Sequence, residues 1–99
     1  MTYVIFEVKT EEVGKISKLT SDDTVSRQSI LIRDSSSLNL KGNFSYVKIE
    51  GSEEGIKKAE EIAKEANFKK LDAKKAKEIN KKIEEQEDSA ATGMGMIFG

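Results

Sequence analysis

The chain contains neither cysteine nor histidine. Without cysteine there is no disulfide, no thiolate nucleophile and no cysteine-ligated zinc or iron–sulfur cluster. Without histidine the commonest general base and the commonest metal ligand are both missing, which excludes Ser-His-Asp and Cys-His devices. No apolar run approaches membrane-spanning length, and the first residues, MTYVIFEVK, lack the basic leader and apolar core of a signal peptide. An excess of one charge is lacking too. Seventeen basic side chains meet 18 acidic ones, so no global basic field calls for nucleic acid or an anionic membrane. These absences predict a soluble cytoplasmic protein, away from membranes, that is not an enzyme and holds no cofactor or metal. What is present is 99 residues, 36% hydrophobic and 35% charged, enough for one thin core with helices solvated on one side.

Residues 45–66, SYVKIEGSEEGIKKAEEIAKEA, are the most legible stretch. Val47 and Ile49 alternate with Tyr46, Lys48 and Glu50, a strand with the first pair facing a core. Gly51 breaks the strand, Ser52 stands at a helix N-cap, and Glu53 and Glu54 fill the first turn. Ile56, Ala59, Ile62, Ala63 and Ala66 then recur at helical spacing. Upstream, residues 2–8 read as a strand with Val4, Phe6 and Val8 on one face and Tyr3 and Ile5 on the other, which suits an interior position. Residues 10–19 suit a helix by the spacing of Val13, Ile16 and Leu19, or a strand because Gly14 and the threonines weaken a helix. TSDDT at 20–24 is a loop. Residues 27–33 are a further strand, followed by a long polar connection. Downstream, Asn67 suits a left-handed C-cap and Asp72 an N-cap, with Phe68 and Leu71 between them as a turn or short edge strand. Ala73, Ala76, Ile79 and Ile83 mark a second amphipathic helix.

The expected fold is therefore α+β: a two-layer sandwich with an antiparallel sheet of three or four strands packed against two C-terminal helices. If 10–19 is helical and 68–71 is a strand, it becomes a ferredoxin-like split βαβ arrangement with an added helix. One domain covers residues 1–88, and residues 89–99 form a Gly/Met-rich apolar tail, flexible or docked.

Candidate chemistry is sparse. Asp22-Asp23 and Glu11-Glu12 lack the spacing of a calcium loop and read as solvated carboxylates. Arg33 followed by Ser35, Ser36 and Ser37 could cradle a phosphate, but Asp34 repels the same anion and no glycine opens the backbone, so a polar loop is the better reading. Residues 67–82 carry seven lysines against Asp72 and Glu78. Lys74, Lys77 and Lys81 share one side of a helix, with Lys70 near it, a ridge that could follow a phosphate backbone. No aromatics interleave with them for base stacking, and a solvated face is favoured. The G-x-G of GMGMIFG has no helix after it and fails as a dinucleotide fingerprint. Its side chains Met94, Met96, Ile97 and Phe98 suit docking, on the domain itself or in a partner's groove.

The Lys-, Glu- and Ile-rich texture, with IEGSEEGIKKAEEIAKEA and the GMGMIFG ending, resembles small conserved proteins of unknown function from methanogenic archaea. That resemblance implies cytoplasmic residence, no known activity and no transferable site residues. The strand–turn–helix unit also resembles half of a KH domain, but the GxxG clamp for nucleic acid is missing. The expectation is a non-catalytic module, monomeric or weakly homodimeric, that binds an unidentified protein through its apolar tail. The alternative is an RNA- or DNA-binding domain using the lysine ridge.

Overall fold

A computed structural model describes residues 2–98, with side chains through Gln86 in the last helix. In chain order the elements are β1 (Thr2–Lys9), a 3₁₀ stretch (Thr10–Ile16) running into α1 (Ser17–Thr20), and a 3₁₀ turn (Val25–Arg27). Then come β2 (Ser29–Asp34), a second turn (Ser36–Leu38), β3 (Phe44–Gly51), α2 (Glu53–Glu65), β4 (Lys69–Lys70) and α3 (Ala73–Phe98). The strands form one sheet in the order β2-β3-β1-β4, antiparallel at every pairing. The protein is α+β, and both conditions for the split βαβ arrangement are met. Residues 10–20 are helical, though tightened to 3₁₀ through the weak helix formers around Gly14, and residues 69–70 are a strand.

Sheet-on-helix packing occurs twice, once on each face. On one face Val4, Phe6, Val8, Val47 and Ile49 meet Ile16 and Leu19, together with Ile56, Ala59 and Ala63 of α2. On the other, Ile5 and Tyr46 meet Leu38, Leu71 and the α3 stripe of Ala76, Ile79 and Ile83. Each large side chain buried this way contributes roughly 1.5–3 kcal/mol, and two charged side chains, Glu7 and Lys48, sit half-buried within the central strands on the α3 face. Tyr46, which alternation assigns to the solvent side, is buried because α3 covers that side. The second strand begins at Ser29 rather than at residue 27, because the backbone of residues 25–27 closes a 3₁₀ turn.

The caps form as their residues dictate. Ser52 Oγ accepts from Gly55 N at 3.1 Å, and Asp72 Oδ1 accepts from Lys75 N at 2.8 Å. Asn67 takes the left-handed conformation, with φ of 62°. One further device at the start of α2 is long-range. The Gln28 side chain lies across Gly51 and Gly55, accepting from Ser52 N at 3.0 Å and donating to Thr24 O at 3.1 Å. A Cβ on either glycine would overlap the Gln28 side chain, which is why small residues flank this turn.

Candidate interaction surfaces

The lysine ridge is assembled from three of its four residues. Lys74, Lys77 and Lys81 are exposed on the side of α3 opposite Ala76, Ile79 and Ile83, so these three share a solvent-facing strip. Lys70 does not join them. It pairs with Phe6 in register, which turns its side chain toward α2, where Nζ lies 2.9 Å from Glu60 Oε2. The tail residues Met94, Met96, Ile97 and Phe98 lie outside the residues whose side chains are described.

The serine-rich loop spends its polar groups on itself. Ser35, buried, donates to Gly42 O at 2.7 Å and accepts from Phe44 N, and Ser37 donates to Asp34 O. Arg33 Nε donates to Gln86 Oε1 at 2.9 Å, while Gln86 Nε2 donates to Ser37 O, tying α3 to this loop. These bonds turn the segment inward as a loop closure. The carboxylates behave likewise: Asp22 Oδ2 accepts from Thr24 N and Val25 N, Asp23 pairs with Arg27, and Glu12 pairs with Lys15. Among the described residues no group of acids is gathered for a metal ion, and no helix is long and apolar enough to cross a membrane.

Two polar contacts lie on the α3 face of the sheet. Tyr46 Oη donates to Glu7 Oε2 at 3.1 Å, and burial, reinforced by the Glu7 charge and that hydrogen bond, pushes the phenol up to about 12. Lys48 Nζ stands 5.2 Å from the centre of the Tyr3 ring, a cation–π pair. Neither pair lines a described cavity, and both read as parts of the packing.

Two apolar surfaces were not foreseen from the sequence. A groove of 410 Å³ runs between α2 and β4, floored by Phe6, Ala63 and Phe68 and walled by Lys57, Glu60, Glu61, Lys64 and Lys70. The second surface is the outer edge of β2. Among the described residues, Ile32 and Val13 are the two large apolar side chains left exposed, at 40% and 41%, and they line one depression with Ile16, Ser17, Thr20, Asp34 and Ser45. Ser35 N donates to Phe44 O, and amides alternate sides along a strand, so those of Ile30, Ile32 and Asp34 face away from β3 into the open edge. The Ile32 carbonyl is met there by Arg33 Nη1 at 2.9 Å. Three consecutive apolar residues, Ile30, Leu31 and Ile32, read as a strand covered on both faces and give no sequence sign of an edge position.

Comparison with protein-family models, curated proteins and solved structures finds no match to the chain.

Proposed function

We propose that this chain is a non-catalytic interaction module whose partner is another protein. The observation that supports this best is the outer edge of β2, where Ile32 and Val13 present apolar surface beside backbone groups turned away from the sheet. An edge of this kind takes up an extended segment as an added strand, with main-chain hydrogen bonds giving affinity and alternate side chains giving selectivity. The tail residues Met94, Met96, Ile97 and Phe98 are a second proposed contact, resting on their apolar character in a polar chain end. A cytoplasmic setting belongs to the same proposal.

Affinity capture with three chains tests it: the full chain, the chain lacking residues 90–99, and Ile32→Lys, each checked for folding by circular dichroism. Specific capture lost in Ile32→Lys assigns the β2 edge, and capture lost on truncation of a chain that still folds assigns the tail. Truncation that unfolds the chain assigns the tail to the core instead. Capture equal in all three, or none at all, contradicts the reading.

The alternative, RNA or DNA binding along α3, is favoured by the shared exposure of Lys74, Lys77 and Lys81. It predicts affinity that falls steeply with salt and collapses when all three are changed to glutamate. Absence of binding to both a mixed-sequence RNA and a mixed-sequence DNA at low salt ends it.

A further inference from the structure

We infer that the β2 edge takes up a second copy of this chain, the two β2 strands pairing antiparallel about a two-fold axis at Leu31. The inference rests on the reading of that edge as the interaction surface, and adds its occupant.

The two edges of the sheet are built differently. β4 is two residues long and both are lysines, the short, charged form that discourages strand addition. β2, SILIRD, is six residues long with no proline or lysine, and exposes Ile32. Of the two, β2 is the less guarded edge, its charge being Arg33, whose Nη1 meets the Ile32 carbonyl, and Asp34 at the strand's end.

Its sequence is also self-complementary in one register. Symmetric pairing of outward-facing groups allows only registers centred on a residue, because both members of a hydrogen-bonded pair must face out. With Leu31 on the axis, Ile30 opposes Ile32 of the second copy and the reverse, four isoleucines meeting on the α2 side. Leu31 meets its own counterpart on the α3 side. Arg33 then opposes Ser29 and Asp34 opposes Gln28, so no like charges face each other. Centring on Ile30 would place Arg33 opposite Arg27. Centring on Ile32 would place Asp34 opposite Ile30 and Arg33 opposite Leu31, splitting the apolar pairs. In the Leu31 register the Ile30 amide of the second copy replaces Arg33 Nη1 at the Ile32 carbonyl, while Arg33 Nε keeps its bond to Gln86. The product is one continuous sheet of eight strands through both copies.

The absence of native cysteine makes a single introduced thiol an unambiguous reporter. In the proposed register the two Leu31 positions form a non-hydrogen-bonded pair, with Cα atoms about 4.5 Å apart, inside the range a disulfide spans. Leu31→Cys in the full chain should oxidise to a covalent dimer at least about tenfold faster than Glu65→Cys, an exposed thiol on α2, at equal concentration. Adding Ile32→Lys should return that rate to the control value. Sedimentation equilibrium of the unmodified chain should show a concentration-dependent dimer, and Ile32→Lys, confirmed folded, a monomer. Leu31→Cys oxidising no faster than the control, or a dimer indifferent to Ile32→Lys, overturns the inference. A chain monomeric at millimolar concentration overturns it as well. In that case loss of a captured partner by Ile32→Lys would leave the edge reading standing with a different occupant, and no loss would remove both.

Discussion

Tyr46 shows how one side chain reports the layer above it. Its position in β3 alternates with Val47 and Ile49, so pattern alone sends it to solvent, yet it is buried and its hydroxyl donates to Glu7. The signal that would have placed it is the apolar set on the same face, Tyr3 and Ile5 on β1 and Leu31 on β2. That set becomes meaningful only once register aligns the strands. The phenol's ordinary value of 10 is pushed up to about 12 by burial and by the Glu7 charge. The folded state therefore holds its proton where the unfolded chain has lost it. Stability carried by this group is complete below pH 10 and declines as pH rises from 10 through 12. Two units correspond to about 3 kcal/mol. Denaturant unfolding at pH 9 and pH 12 should show a loss of that order in the unmodified chain beyond the loss in Tyr46→Phe. Equal losses in the two chains would remove Tyr46 from the cause.

At the scale of elements, local chemistry was legible and long-range contact was not. Ser52, Asp72 and Asn67 cap their helices as their side chains dictate, because a cap is satisfied by groups two or three residues away. Gln28 is 24 positions from Ser52 and carries no such local signature. It also reverses an ordinary rule. Glycine inside an open helix costs roughly 1 kcal/mol relative to alanine, so Gly55→Ala would ordinarily stabilise α2. Here the added methyl meets the Gln28 side chain. Gly55→Ala should therefore displace Gln28 from Ser52 N and Thr24 O and destabilise by roughly 0.5–1.5 kcal/mol per bond lost, and should be neutral or stabilising in a Gln28→Ala background. A thermal-melt double-mutant cycle measures this coupling; additive effects would show that the two side chains do not meet. The lysines of α3 obey the simpler sequence reading: Lys74, Lys77 and Lys81 lie on the outer face because Ala76, Ile79 and Ile83 take the inner one. Lys70 leaves them because its strand register, invisible from the sequence, turns it toward Glu60.

For the whole molecule, the antiparallel α+β class followed from three strands, at 2–8, 27–33 and 45–50, and two amphipathic helices. The 10–19 segment was open between helix and strand because Val13, Ile16 and Leu19 have helical spacing while Gly14 and the threonines weaken a helix. Strand order resolved what periodicity could not, placing β1 and β3 at the centre and β2 at an edge. That position converts Ile32 from a core residue in appearance into an exposed one. The central proposal is that this edge is completed by a second β2. Backbone hydrogen exchange of the unmodified chain, measured at increasing protein concentration, tests it most directly, because the Ile30 and Ile32 amides face the open edge in the single chain. Self-pairing predicts that these two amides exchange rapidly in dilute solution and become protected as concentration rises, while Leu31 and Arg33, already bonded to β3, change little. Exchange at Ile30 and Ile32 that is independent of concentration would contradict it.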